Sequence, residues 1–297
     1  MHKHSQEEKG QRGLLISTVL NFVITAAQVV GGLMSNSLAL MSDALHNFGD
    51  AVAVFVAWLA GRIGKRDANE RKTFGYKRIE IIAAFVNAAV LVVISVVLFV
   101  EAAQRFVDPE PVKGPLMLIV AGIGLLANLV SVFILNPHKG RNINIKAAYL
   151  HLMGDTLSSV AVIFGGIAIV VWEMYWIDPV ITVGVGLYII FHTVKILRHS
   201  FDILMQSTPA GLNLEAVSAS IEAHDEICNV HHMHAWTLDD DRLFLECHIQ
   251  LCSDMAVSDT EHITNLLSER LKNEFNITHL TVQYEYSECP DESVKHS

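Results

Sequence analysis

A chain of 297 residues, 52% hydrophobic and with a mean hydropathy of +0.38, is too apolar for an ordinary soluble protein and too long for one small domain. Its net charge of -10 is unevenly divided: residues 1–205 carry 17 Lys/Arg against 14 Asp/Glu, and residues 206–297 carry 4 against 17. The split predicts a membrane half and an acidic soluble half, and the acidic half disfavours nucleic acid and favours cationic ligands.

The polar start, MHKHSQEEKGQRG, reads as a tail over residues 1–13 that leads into a full-length span with no small-residue cleavage signature. A span needs about 20 mostly apolar residues. Six stretches qualify, near residues 14–34, 38–59, 79–100, 116–135, 147–171 and 179–197. The first two are joined by SNS and the last two by WEMYWID, so each pair is antiparallel. Basic residues gather in the tail (Lys3, Lys9, Arg12), in the second connection, which has seven, and in the fourth (Lys139, Arg141, Lys146). The third has Arg105 and Lys113; the first and fifth have none. Lys/Arg-rich loops stay inside, so both termini and the soluble half are expected in the cytosol, with a bacterial plasma membrane as the expected home.

After Pro209 the period changes. LNLEAVSASIEAH reads as a helix, and NVHHMHAWTL and RLFLECHIQL as strands joined by an acidic turn. SDTEHITNLLSERLKNEF reads as an amphipathic helix opened by a capping box of Ser258 with Glu261, and HLTVQYEY as a closing strand. The order α-β-β-α-β predicts a small α+β domain over 206–297, behind a six-helix transmembrane domain over 14–205. The four cysteines, Cys228, Cys247, Cys252 and Cys289, form no CxxC pair and suit a reducing compartment. Cys247 is read as core, and Cys289 as a further candidate metal donor.

The second span contains SDALHNFGD. An ionisable side chain at the bilayer centre costs roughly 2.5–3.5 kcal/mol even on lenient insertion scales, so His46 and Asp50 need a compensating interaction. The fifth span repeats the pattern in AAYLHLMGDTLSS, with His151 and Asp155. Each pair is HxxxD, and an i,i+4 spacing puts both side chains on one helix face. If the two faces meet, two imidazoles and two carboxylates converge, a set suited to tetrahedral Zn2+ and unsuited to Cu+ or Mg2+. A divalent charge would balance the two aspartates. The alternative, a polar helix-packing contact, would have to arise twice. Asp43, three residues before His46, supports the ligands or guards the approach. Asn47, Asn21, Gln28, Asn87 and Asn128 are read as hydrogen-bonding partners within the bundle. No Gly-rich phosphate loop, HExxH or GxSxG is present, and a closed four-ligand cage leaves no open position for an enzyme's substrate.

These segments, with FGYKRIE at the third span and VHHMHAWTL in the soluble half, resemble the cation diffusion facilitators, exporters of zinc and other divalent cations. The resemblance covers nearly the whole chain. It implies a transport site at His46, Asp50, His151 and Asp155. The His-Asp-His-Asp set marks the zinc type, with cadmium or cobalt as secondary cargo. It further implies Zn2+ out for H+ in by alternating access, since metal and protons compete for the same atoms. The cytosolic domain is expected to be metallochaperone-like, to mediate a homodimer, and to bind regulatory zinc through His231 or His232, His234, His248 and Glu285. His2 and His4 are read first as part of a free tail, with reach to a dimer partner's domain as the alternative. Arg78 falls where relatives carry a charge lock, but the acidic partner's place is taken by Gln206, leaving Asp202 as the substitute. The rival reading is a membrane metal sensor that binds without transporting.

Overall fold

The computed structural model describes residues 2–64, 66–136, 143–239 and 242–286, with side chains described outside 2–18, 57 and 143–148. His2, His4 and Cys289 therefore lie outside the described side chains. The chain divides into two compact units: residues 1–59 with 86–197, and residues 60–85 with 198–297.

The first unit is built from long helices: α1 (His2–Ser35), α2 (Leu38–Gly64), α3 (Ile79–Val107), α4 (Gly114–Leu135), α5 (Ile143–Trp172) and α6 (Ile177–Leu204), of which α2, α3 and α6 continue into the second unit. Among the described residues, α2 to α6 are long and apolar enough to cross a membrane, and the apolar stretch of α1, Val19–Ser35, is shorter. The polarity pattern is that of a lipid-facing bundle. Phe22, Phe55, Phe133 and Phe164 point outward, whereas Gln28, Asp43, Asn47, Asn128 and Asp155 are buried. That inversion is what a bilayer solvent selects, because only the bundle interior offers polar partners. α4 packs against both α1 and α5. Gly124 allows the α1–α4 approach: a Cβ there would meet the Gln28 amide at 2.7 Å.

α2 carries half of the site, and its N-terminus is fixed from a distance. Asp178 at the start of α6 is fully buried. It accepts a hydrogen bond from the Ser37 hydroxyl (2.6 Å) and from the backbone N–H groups of Leu38 (2.7 Å) and Ala39 (3.3 Å). A carboxylate thus satisfies orphan N–H groups and faces the positive end of the helix dipole. Arg105 of α3 secures the preceding turn by donating to the carbonyl (2.7 Å) and side-chain oxygen (2.9 Å) of Asn36, which sits at φ +57°.

The second unit contains α7 (Leu214–Glu222), β1 (Ile227–Thr237), β2 (Leu243–Leu251), α8 (Val257–Phe275) and β3 (Ile277–Glu285). Sheet order is β1-β2-β3, with β1/β2 antiparallel and β2/β3 parallel. Val217 and Ile221 of α7 and Ile263, Leu267 and Leu271 of α8 pack with Val230, Leu245, Cys247 and Ile249 into one core. The parallel β2/β3 pair follows from α8 acting as the crossover. Two expectations are corrected. The capping box is not formed: the N-cap is Ala256, two residues before Ser258, and makes no side-chain cap, so Ser258 lies inside the helix and contacts Asp259 instead. The cysteines include a disulfide, Cys228–Cys252, because antiparallel pairing of Ile227 with Leu251 brings the two strand ends together. Cys247 is fully buried, and burial, reinforced by the Glu246 charge, pushes its thiol up to about 12.

Candidate metal centre

His46 and Asp50 occupy successive turns of α2, and His151 and Asp155 successive turns of α5. The two faces meet. Asp50 Oδ2 lies 3.2 Å from His151 Nε2 and 3.5 Å from His46 Nε2. Asp155 Oδ2 lies 3.5 Å from His151 Nε2, and its Oδ1 3.9 Å from His46 Nε2. Each carboxylate touches both imidazoles. Zn–N and Zn–O bonds of about 2.0–2.2 Å in a tetrahedron place neighbouring donor atoms about 3.3–3.6 Å apart, near these nitrogen–oxygen spacings; His46, His151 and Asp155 form one mutually close donor set, with Asp50 against both imidazoles. Asp50 Oδ2 and Asp155 Oδ2 are buried and make no hydrogen bond, as suits lone pairs directed at a cation. The shell is lopsided. Asp155 is 2% and His46 13% exposed, against 29% for Asp50 and 41% for His151, so access is from the Asp50–His151 side.

Asp43 does not join the shell. One oxygen accepts from the Gln28 amide (2.9 Å) and the other from the Ser158 hydroxyl, and Gln28 in turn accepts from Asn47 (3.3 Å). This network ties α1, α2 and α5 together directly behind the ligands. Gln28 and Asn47 are thus hydrogen-bonded within the bundle, whereas Asn128 Nδ2 and Asn21 Oδ1 are buried without a hydrogen bond.

Two residues of α6 at the site escaped sequence reasoning. The Tyr188 hydroxyl sits where a Cβ on Gly154 would be, 2.5 Å away, so glycine beside Asp155 makes room for it. His192, one turn on, packs on Tyr188 with ring centroids 4.5 Å apart and is near enough to His46 to interact electrostatically. The signal was a third polar i,i+4 pair, Tyr188 and His192, in a mostly apolar span.

The second unit holds another donor cluster. Glu285 at the end of β3 reaches His231 Nε2 on β1 (3.2 Å) and His248 Nδ1 on β2 (2.9 Å), one oxygen to each. His232 stacks on His248 at 4.7 Å. The register explains why adjacent residues share a face: between His231↔His248 and His234↔Glu246 β1 has one extra residue, and His232 takes φ +50°. Such a bulge breaks strict alternation. His234 is on the exposed side, opposite Glu246, and is not brought into the cluster. Burial acts to raise the Glu285 pKa, but the Gln283 amide and the His248 and His231 imidazoles outweigh it and hold the carboxyl below its usual range. Arg78 forms no ion pair with Asp202 among the described residues, and its Nε is buried without a hydrogen bond. Gln206 sits at φ +55° just past α6.

The comparisons with known proteins agree on one lineage. A family model described as "Cation efflux transmembrane domain" matches residues 14–205, and the ZT_dimer model, described as "Cation efflux protein, cytoplasmic domain", matches 209–287. The chain is 38% identical over 296 residues to the zinc transporter ZitB of Pectobacterium atrosepticum, covering 98% of this chain and 91% of that one. It is 35% identical over 288 residues to the metal cation efflux system protein CzcD of Cupriavidus metallidurans (97% and 90%). It is 34% identical over 286 residues to the "Cadmium, cobalt and zinc/H(+)-K(+) antiporter" of Bacillus subtilis (96% and 91%).

Proposed function

The chain belongs to the cation efflux family, the cation diffusion facilitators, and from that premise we propose that it exports Zn2+ from the cytosol in exchange for protons through His46, Asp50, His151 and Asp155. Family and relatives make it a divalent-metal transporter rather than an enzyme, integral to a membrane. The observation that carries the finer reading is the donor spacing: two nitrogens and two carboxylate oxygens from separate helices, 3.2–3.9 Å apart. That set is softer than an oxygen cage and harder than a thiolate one, and so favours Zn2+, with Cd2+ and Co2+ as secondary cargo. Relatives named for zinc and for cadmium, cobalt and zinc support the same group of metals.

Each cargo ligand binds metal only when unprotonated, so a proton arriving from the acidic side displaces the ion. Because the ligands come in pairs from α2 and α5, a relative movement of these helices opens the cage without breaking either pair. The domain division at residue 205, the cytosolic placement of both termini, the metallochaperone-like role of the second unit and its homodimer contact belong to the same proposal; the ZT_dimer match points to the dimer. Zinc held by His231, His248 and Glu285 would be regulatory, favouring the export-ready state.

The test is zinc flux in proteoliposomes under an imposed pH gradient. The transporter reading expects zinc to move against the proton flow and to stop when the gradient collapses. The sensor reading expects stoichiometric zinc binding with no gradient-driven flux.

A further inference from the structure

The connection between α2 and α3 does more than carry positive charge. It is a built loop: Asn69 and Lys72 exchange backbone hydrogen bonds (3.1 and 3.0 Å), the Asn69 side chain accepts from the N–H groups of Arg71 and Lys72 (3.0 Å each), and Gly75 turns the chain at φ +69°. Phe74 at its tip meets Phe244 of β2 edge-on, with centroids 5.7 Å apart, and Trp236 of β1 stacks on the same Phe244 at 5.6 Å. Between loop and sheet lies a cavity of about 290 Å³.

The walls of that cavity carry Arg66, Lys77 and Arg242 against one acid, Asp67, with Phe74 and Phe244 as the apolar floor. Arg242 is partly neutralised by Asp239 at 3.1 Å. Arg66 and Lys77 have no carboxylate partner among the described residues. Arg66 and Lys77 belong to the stretch with excess basic residues, and Arg242 is one of only four Lys/Arg in the acidic half. Two cations without a carboxylate partner, converging with a guanidinium on a half-open cavity, form an anion site, and Arg with Lys is the usual pairing for phosphate oxygens. Ligand pockets for drug-sized molecules run from about 300 to 1,000 Å³, so this cavity suits a headgroup-sized anion rather than a nucleotide.

We propose that the cavity between the α2–α3 loop and the β1–β2 end of the sheet binds a phosphate group, through Arg66, Lys77 and Arg242. The phosphate is carried either by an anionic phospholipid or by a small soluble compound. The chain favours the lipid: the loop leaves one membrane-crossing helix at Gly64 and enters the next at Ile79, so both its ends are held near headgroup depth. Anionic headgroups concentrate such basic juxtamembrane segments. A phosphate held by Arg66 and Lys77 on one side and Arg242 on the other would clamp the loop, which continues from the α2 ligand helix, onto the sheet that carries the regulatory cluster.

The test uses the full chain in phosphatidylcholine nanodiscs with or without phosphatidylglycerol, and separately in neutral detergent titrated with inorganic phosphate. Native mass spectrometry counts bound lipid, and thermal denaturation reads stabilisation. Phosphatidylglycerol is expected to bind and raise the melting temperature of the wild type. Its apparent affinity should fall about tenfold in Arg66→Gln/Lys77→Gln and stay unchanged in Lys72→Gln, whose ammonium lies over the Tyr76 ring instead. Arg242→Gln provides an independent variant from the opposite wall. Stabilisation by phosphatidylglycerol alone identifies the lipid, and stabilisation by inorganic phosphate with the same variant dependence identifies a soluble anion at the same site. Equal binding to wild type and to the Arg66, Lys77 and Arg242 variants, or no response to either probe, overturns the proposal.

Discussion

The molecule holds two clusters of imidazole and carboxylate, and they are made differently. The membrane cluster takes two residues from each of two helices by one repeated spacing, and gathers four donors whose inner oxygens have no hydrogen bond. The second cluster takes one residue from each of three strands; its carboxylate likewise lies against two imidazoles, and it also accepts from the Gln283 amide. The first is a set of two imidazoles and two carboxylates divided between two helices. The second is a three-donor set on one sheet that leaves a coordination position to water or a partner copy. Under the proposed function, the first cluster would carry the ion and the second would sense it.

The comparison breaks most sharply at the ligands. His151→Ala or Asp155→Ala removes one of four donors and leaves an uncompensated carboxylate or imidazole in the bundle; zinc flux into proteoliposomes is expected to fall to the protein-free background. His46→Asp tests the donor argument rather than the shell. Replacing an imidazole by a carboxylate hardens the site, so zinc transport should drop and manganese transport appear in a competition flux assay. Unchanged selectivity would contradict the assignment of His46 as a ligand.

Smaller effects separate support from ligation. Gln28→Leu leaves the Asp43 and Asn47 side chains without their shared partner. A buried acceptor left unsatisfied costs about 1–3 kcal/mol, so the melting temperature in detergent should fall while zinc affinity changes little. In the second unit, His248→Ala should weaken cytosolic zinc binding about tenfold or more, measured by calorimetry on the Asp50→Asn background to silence the membrane site. His234→Ala, outside the cluster, should leave it unchanged.

The smallest effect is in pH. The Glu285 pKa is lowered in the folded chain, so its contribution to stability is present above the ordinary 4.5 and is lost as pH falls through the folded value. The melting-temperature difference between wild type and Glu285→Gln, without metal, should hold steady above pH 4.5 and close below it. A difference that grows on acidification would put the sign wrong.

What the sequence disclosed follows the same division. The membrane quartet was legible because helical periodicity alone places residues i and i+4 on one face, twice. The strand cluster was legible in outline through alternation, but β1 carries a bulge that periodicity does not announce, so His232 and His234 could not be told apart. Asp178 was unreadable because it caps a helix 140 residues away in sequence. The Cys228–Cys252 pair needed the strand register. Tyr188 and His192 were readable in principle, as polar residues one turn apart in an apolar span, and were passed over because neither belongs to an HxxxD pair.

The most direct measurement is a paired one: zinc flux under one fixed pH gradient in Asp50→Asn and in His248→Ala. The account predicts no gradient-driven flux in the first, and in the second gradient-driven flux with an altered dependence on cytosolic zinc. Wild-type flux in Asp50→Asn, or none in His248→Ala, would contradict the division between a carrying site in the membrane and a sensing site on the sheet.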